Sequence, residues 1–134
     1  MTVLLSDQRA VQTAEDVVAV RQAVRQRAVE LGFNLVDQTK IVTASSELAR
    51  NTVQYGGGGT VTIESLEELG RRGLRLTFAD SGPGIKDIEL AMKDGYTTAG
   101  GLGLGLSGAR RLSNDFHIDS TPGEGTRVTI TRWR

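Results

Sequence analysis

At 134 residues, 38% hydrophobic and 24% charged, the chain suits one soluble globular domain, 1–134, with a core of useful size. Sixteen Lys and Arg balance sixteen Asp and Glu with no basic run, which argues against nucleic acid or an anionic membrane surface as partner. The lack of cysteine excludes a disulfide framework, a thiol nucleophile and a cysteine zinc site, and a single histidine excludes a histidine metal cluster.

The start, Met1 to Ala10, meets Asp7, Gln8 and Arg9 too soon for a signal peptide or a span of ~20 apolar residues, so the default expectation is a cytoplasmic protein. Val3 to Val11 supplies a short strand. Thr13, with Asp16 three residues on, reads as a carboxylate variant of the capping box that starts a helix. Val17, Val20, Val24, Ala28 and Leu31 form its apolar stripe, and Gly32 stops it. Asp37 is the expected cap of a second helix, in which Ile41, Ala44, Leu48 and Thr52 share a face, ending at Gly56–Gly59.

Residues 60–66 and 74–78 alternate as strands, with Glu67 to Gly73 as a polar hairpin loop. Ile85 to Gly101, rich in glycine and threonine, is expected to be mobile. A third helix is expected from about Gly103 to Ser113. Strands at 116–120 and 126–131 flank the turn Pro122-Gly123-Glu124-Gly125. His117 reads as an ordinary strand residue. The expected fold class is α+β, a sheet with helices packed on one face.

Three groups of residues carry chemistry. Glu47 and Asn51 stand one helical turn apart, so both reach toward one ligand. An asparagine carbonyl is a hard oxygen suited to Mg²⁺, and a carboxylate beside it deprotonates or orders an attacking hydroxyl. Alone, Glu-x-x-x-Asn is a solvated helix face; here two further motifs follow in order. Asp80 ends a strand and opens Asp80-Ser81-Gly82-Pro83-Gly84-Ile85. An aspartate there either caps the turn or accepts a hydrogen bond from the exocyclic amine of adenine, with Gly82 and Gly84 letting backbone approach the ring. The third group, Gly100-Gly101-Leu102-Gly103-Leu104-Gly105, offers successive backbone N–H groups to phosphate at the start of a helix. It lacks the Gly-Lys-Ser/Thr of a Walker loop. Its Gly-x-Gly-x-x-Gly match follows no hydrophobic strand and lies too late for a dinucleotide fold. Arg50 has three readings: a phosphate contact, a partner's acid, or a pair with a helix glutamate.

In this order the motifs resemble the GHKL (Bergerat-fold) ATP-binding superfamily over nearly the whole chain. The stretch Asp94-Gly95-Tyr96-Thr97-Thr98 ahead of the glycine loop is similar to the RsbT-type serine/threonine kinases of bacterial sigma-factor control. The resemblance implies a two-layer sandwich with a mixed or antiparallel sheet, and ATP with Mg²⁺ as cofactors. It makes Glu47 the catalytic residue and Asn51 the metal ligand. The nucleotide falls to Asn51, Asp80, Gly82, Gly84, Ile85, Thr98, Gly101, Gly103, Gly105 and Thr126; for Thr126, a plain β-forming threonine is an equal reading. It further implies a stand-alone kinase without dimerisation helices or extra domains. The substrate implied is a STAS-domain antagonist protein, and the output a PP2C-type phosphatase or other regulator. The alternatives are an anti-sigma factor holding an alternative sigma factor directly, and a nucleotide-gated binding module without catalysis.

Overall fold

A computed structural model describes residues 1–93 and 104–134. Strand β1 (Thr2–Val11) is followed by helices α1 (Ala14–Glu30) and α2 (Leu35–Gln54), then by the hairpin β2 (Gly59–Glu68) and β3 (Arg71–Asp80). The one-turn helix α3 (Ile88–Ala91) and α4 (Leu104–Arg111) precede a second hairpin, β4 (Asp115–Thr121) and β5 (Gly125–Trp133). The strands lie in the order β1-β2-β3-β5-β4, and all pairings are antiparallel. The α+β sandwich is therefore as expected, with the antiparallel form of the sheet.

Alternation decides which side of the sheet faces the helices. Val61, Ile63, Leu74, Leu76, Phe78, Val128 and Ile130 are buried in one cluster with Val20, Val24, Ile41, Ala44, Leu48 and Leu106 of the helices. The intervening positions Thr60, Thr62, Glu64, Thr77 and Thr129 give the other face its polar character. On that face Arg75 Nε lies 2.8 Å from Glu64 Oε1. The hydrogen bond to Glu64 raises the guanidinium pKa above its ordinary value, against the lowering effect of burial.

The expected capping box is present: Asp16 N–H donates to Thr13 Oγ1 at 3.2 Å, and Asp16 Oδ2 accepts from the Thr13 and Gln12 amides. At the other end of α1, Gly32 has φ +84°. Phe33 N–H returns to Ala28 O and Gly32 N–H to Val29 O, a Schellman closure that requires the left-handed residue.

The cap of α2 is Asn34, not Asp37. Asn34 Oδ1 accepts from the Asp37 amide at 2.8 Å. The first turn holds Leu35 and Val36, 71% and 60% exposed, whose apolar character disguises the helix start. Asp37 is thereby free to make a tertiary contact. Its Oδ1 accepts from Arg132 Nη2 at 2.6 Å, while Arg132 Nη1 donates to Leu112 O at 2.9 Å. One guanidinium thus joins α2, the end of α4 and β5. Because both side chains are mostly buried (13% and 22% exposed), Arg132→Ala is expected to lower the unfolding free energy by about 2 kcal/mol in urea titration.

The charged stretch expected to form a loop is strand instead. Glu67 faces Arg72 and Glu68 faces Arg71 across the hairpin, so opposite charges satisfy each other and pairing continues to a two-residue turn. That turn is Leu69-Gly70, with φ of +51° and +80°, the type I′ pattern. Leu69 is 99% exposed and gains nothing there to offset a left-handed backbone. Leu69→Asn is expected to stabilise the fold by about 1 kcal/mol, read as a higher urea midpoint with unchanged slope.

Helix α4 is shorter than the expected 103–113, and the outer hairpin strands are longer than expected. Of the segment expected to be mobile, residues 85–93 contain α3, capped by Asp87 Oδ1 on the Leu90 amide at 3.0 Å. The Asp94–Thr98 motif and the candidate residues Thr98, Gly101 and Gly103 lie outside the described residues.

Candidate nucleotide site

Helix α2 presents Leu48, Asn51, Thr52 and Tyr55 to the sheet, where β3 supplies Phe78 and Asp80 and β5 supplies Thr126 and Val128. With Ile85 and Leu106 these side chains enclose a cavity of about 20 Å³, room for one water. The cavity gathers Asn51, Asp80, Ile85 and Thr126, which are widely separated in the chain.

Asn51 is the most telling of these. Its Nδ2 is buried without a hydrogen-bond partner among the described residues. An unpaired buried amide costs about 1–3 kcal/mol, which a ligand's polar group would recover. Turning the amide over presents Oδ1 at the same place.

Asp80 Oδ1 accepts from the Gly82 amide at 2.9 Å and the Thr126 amide at 3.3 Å. The half-buried carboxylate is thereby fixed through one oxygen. Gly56 makes room for the other: a side chain at 56 would run into Asp80 Cγ and stand 2.5 Å from Oδ2. Gly82 packs in turn on Gly56, where an added Cβ would stand 2.7 Å from the Gly56 Cα. Gly56→Ala must displace the Asp80 carboxylate. ATP affinity is expected to fall at least about tenfold by calorimetry, with the fold retained in circular dichroism.

A second set of contacts steadies the far wall. Ser120 Oγ accepts from the Ile85 amide at 2.8 Å, donates to Gly125 O at 3.1 Å and lies 2.8 Å from Thr126 Oγ1. Tyr55 Oη donates to Gly84 O at 3.2 Å, and the Gly123 amide donates to Pro83 O at 2.7 Å. The Asp80–Gly84 turn is therefore held from α2 and from the β4–β5 turn. Thr126 lies in β5 with its amide on Asp80 Oδ1, so it is both a strand residue and a neighbour of the carboxylate. Gly105 falls in the first turn of α4.

Glu47 is not in the cavity. It sits one turn earlier on α2, half-exposed, with Oε1 accepting from Arg50 Nη1 at 3.2 Å. Among the readings of Arg50, the structure shows the pair with a helix glutamate. Arg27, on α1, is also occupied, donating to Ser65 Oγ at 3.1 Å.

Gly56, Tyr55 and Ser120 are site residues that sequence reasoning does not single out. The Gly56–Gly59 run is visible in the sequence but reads as a helix end; Tyr55 and Ser120 carry no local pattern. No cluster of three His, Cys, Asp or Glu side chains able to hold a metal occurs among the described residues. The Asn51 amide oxygen is a hard donor of the kind Mg²⁺ accepts beside waters and phosphate oxygens, so Asn51 could hold that ion.

Residues 36–133 match the family described as histidine kinase-, DNA gyrase B-, and HSP90-like ATPase, and the chain belongs to that family. Within it, the chain is 47% identical over 131 residues to the serine/threonine-protein kinase RsbT of Bacillus subtilis (strain 168), covering 96% of this chain and 98% of that protein. It is 29% identical over 119 residues to the anti-sigma F factor of Thermoanaerobacter sp. (strain X514), covering 84% and 82% of the two chains. The fold matches the crystal structure of the RsbU and RsbW domains of Rv1364c from Mycobacterium tuberculosis with a TM-score of 0.67 at 22% identity. That match covers 97% of this chain, which spans only 33% of the larger one, and it bears on the fold alone. No helix among the described residues is long and apolar enough to cross a membrane.

Proposed function

We propose that this chain is a serine/threonine-protein kinase of the RsbT type, a single cytoplasmic domain that transfers the γ-phosphate of ATP to a serine or threonine on a small STAS-domain antagonist. The observation that carries the proposal is the buried, unpartnered amide of Asn51 in a cavity shared with Asp80, in a chain 47% identical to such a kinase. Similarity to the anti-sigma factor is lower and covers less of the chain, which does not favour direct sigma binding as the main role.

The residues then divide the work between binding and transfer. Asp80 Oδ2 accepts from the exocyclic amine of adenine, a contact that guanine's carbonyl oxygen cannot make. Ile85 and Val128 wall the ring, and Thr126 lies beside the carboxylate. Asn51 would hold Mg²⁺ through its amide oxygen; the ion, when bound, neutralises phosphate charge. Thr98, Gly101, Gly103 and Gly105 belong to the same proposal as phosphate contacts, from their place ahead of and within the first turn of α4. Glu47 takes the proton of the acceptor hydroxyl as its oxygen bonds to the γ-phosphorus. The bond to the bridging oxygen breaks and ADP leaves. Phosphorylation releases the antagonist, and the free kinase engages a PP2C-type phosphatase or another output regulator.

The test mixes the chain with Mg-ATP and the STAS-domain protein encoded nearest to it and reads intact mass. One added phosphate on serine or threonine is expected. No transfer, with ATP binding intact, would overturn the kinase reading in favour of a nucleotide-gated binding module.

A further inference from the structure

The contact between Arg50 and Glu47 is on a solvent-facing side of α2, and an exposed i,i+3 ion pair contributes little to stability. Its geometry is nevertheless that of a two-point clamp. Arg50 Nη1 donates to Glu47 Oε1 at 3.2 Å while Nη2 donates to Ser46 Oγ, also at 3.2 Å. Ser46 is buried, so its hydroxyl is a fixed anchor, whereas Glu47 without a partner would sample many rotamers. The planar guanidinium bonds to both through separate nitrogens, a two-point geometry that a lysine ammonium, a single point charge, does not match. Oε1 is taken by the clamp. Oε2 accepts from no other described residue and is left for an incoming hydroxyl.

We infer that Arg50 is a positioning residue for phosphate transfer: bonded to Ser46, it orients the Glu47 carboxylate one turn before Asn51 on α2. The inference rests on Glu47 being the proton acceptor proposed above. Arg50 touches neither the cavity lining nor Asn51 in the contacts described, so its effect passes through Glu47 and not through nucleotide affinity. Orientation of a reacting group by even one ångström changes rates by as much as about a hundredfold, so loss of the clamp is a rate effect.

The experiment measures kcat, and KM for ATP and for the STAS-domain protein encoded nearest the chain, in Arg50→Ala, Arg50→Lys, Glu47→Gln and the double variant Glu47→Gln/Arg50→Ala. Arg50→Ala is expected to lower kcat about tenfold with both KM values within about twofold, and Arg50→Lys to recover part of the loss. In the Glu47→Gln background, removing Arg50 is expected to cost nothing further, because the group it positions is already disabled. A wild-type kcat in Arg50→Ala, with Glu47→Gln slow, would overturn the clamp and leave the Glu47 reading standing. An equal loss in both backgrounds, or a raised KM with kcat intact, would also overturn it by placing Arg50 on phosphate or on the partner. A wild-type rate in Glu47→Gln would remove the proton acceptor itself, and the clamp with it.

Discussion

Asp80→Asn is expected to weaken ATP binding about a hundredfold in titration calorimetry while leaving the urea midpoint nearly unchanged. The two halves of this expectation come from the two carboxylate oxygens. Oδ1 accepts from the Gly82 and Thr126 amides, and an asparagine carbonyl oxygen does the same, so the turn keeps its anchor. Oδ2 makes no hydrogen bond among the described residues, and on the proposed reading the variant presents an NH₂ group there to adenine's own amine. A charge-assisted hydrogen bond is lost and two donors face each other. Together these cost about 3 kcal/mol, a factor of about one hundred in affinity. Unchanged affinity would remove Asp80 from the adenine contact and leave it as a turn cap.

For Glu47→Ala the expectation is the converse: phosphate transfer falls by about 10²–10⁴ while ATP affinity stays within about twofold. Glu47 lies outside the cavity and makes its contact with Arg50, so no cavity-lining group among the described residues is disturbed. On the proposed reading, its removal takes away the acceptor for the attacking proton. Single-turnover transfer to the antagonist measures the chemistry, and calorimetry the binding. A variant that failed to bind ATP would place Glu47 in the binding set and refute the division of labour along α2.

Much of this molecule is legible one residue after another. The capping box at Thr13 and Asp16, the apolar stripe of α1, the Gly32 stop and the alternation of β2, β3 and β5 are local properties. They depend on neighbours within a turn or across a pleat. The order of Glu47, Asn51 and Asp80 ahead of a glycine loop is enough to point to ATP and to the family. Local reading fails where two local signals compete. Asp37 is a good cap by type, but Asn34 lies one turn earlier behind two exposed apolar residues, and Asp37 is needed by Arg132. Four charged residues at the β2–β3 tip resemble a loop until their pairing across the strands is known.

The remaining features exist only between distant segments. That Gly56 packs against the Asp80 carboxylate, that Ser120 ties Ile85 to Thr126, and that Tyr55 reaches Gly84 follow from the packing of α2 on the sheet and the closure of the β4–β5 hairpin. Hydrophobic burial drives that packing and is nondirectional, so sequence pattern specifies which faces meet. Which groups stay unpaired, Asn51 Nδ2 among them, is decided when close-packed side chains find their final fit. The chain's own pattern thus pointed to the nucleotide and to the family, and the folded packing set which polar atoms of Asn51 and Asp80 are left without partners among the described residues.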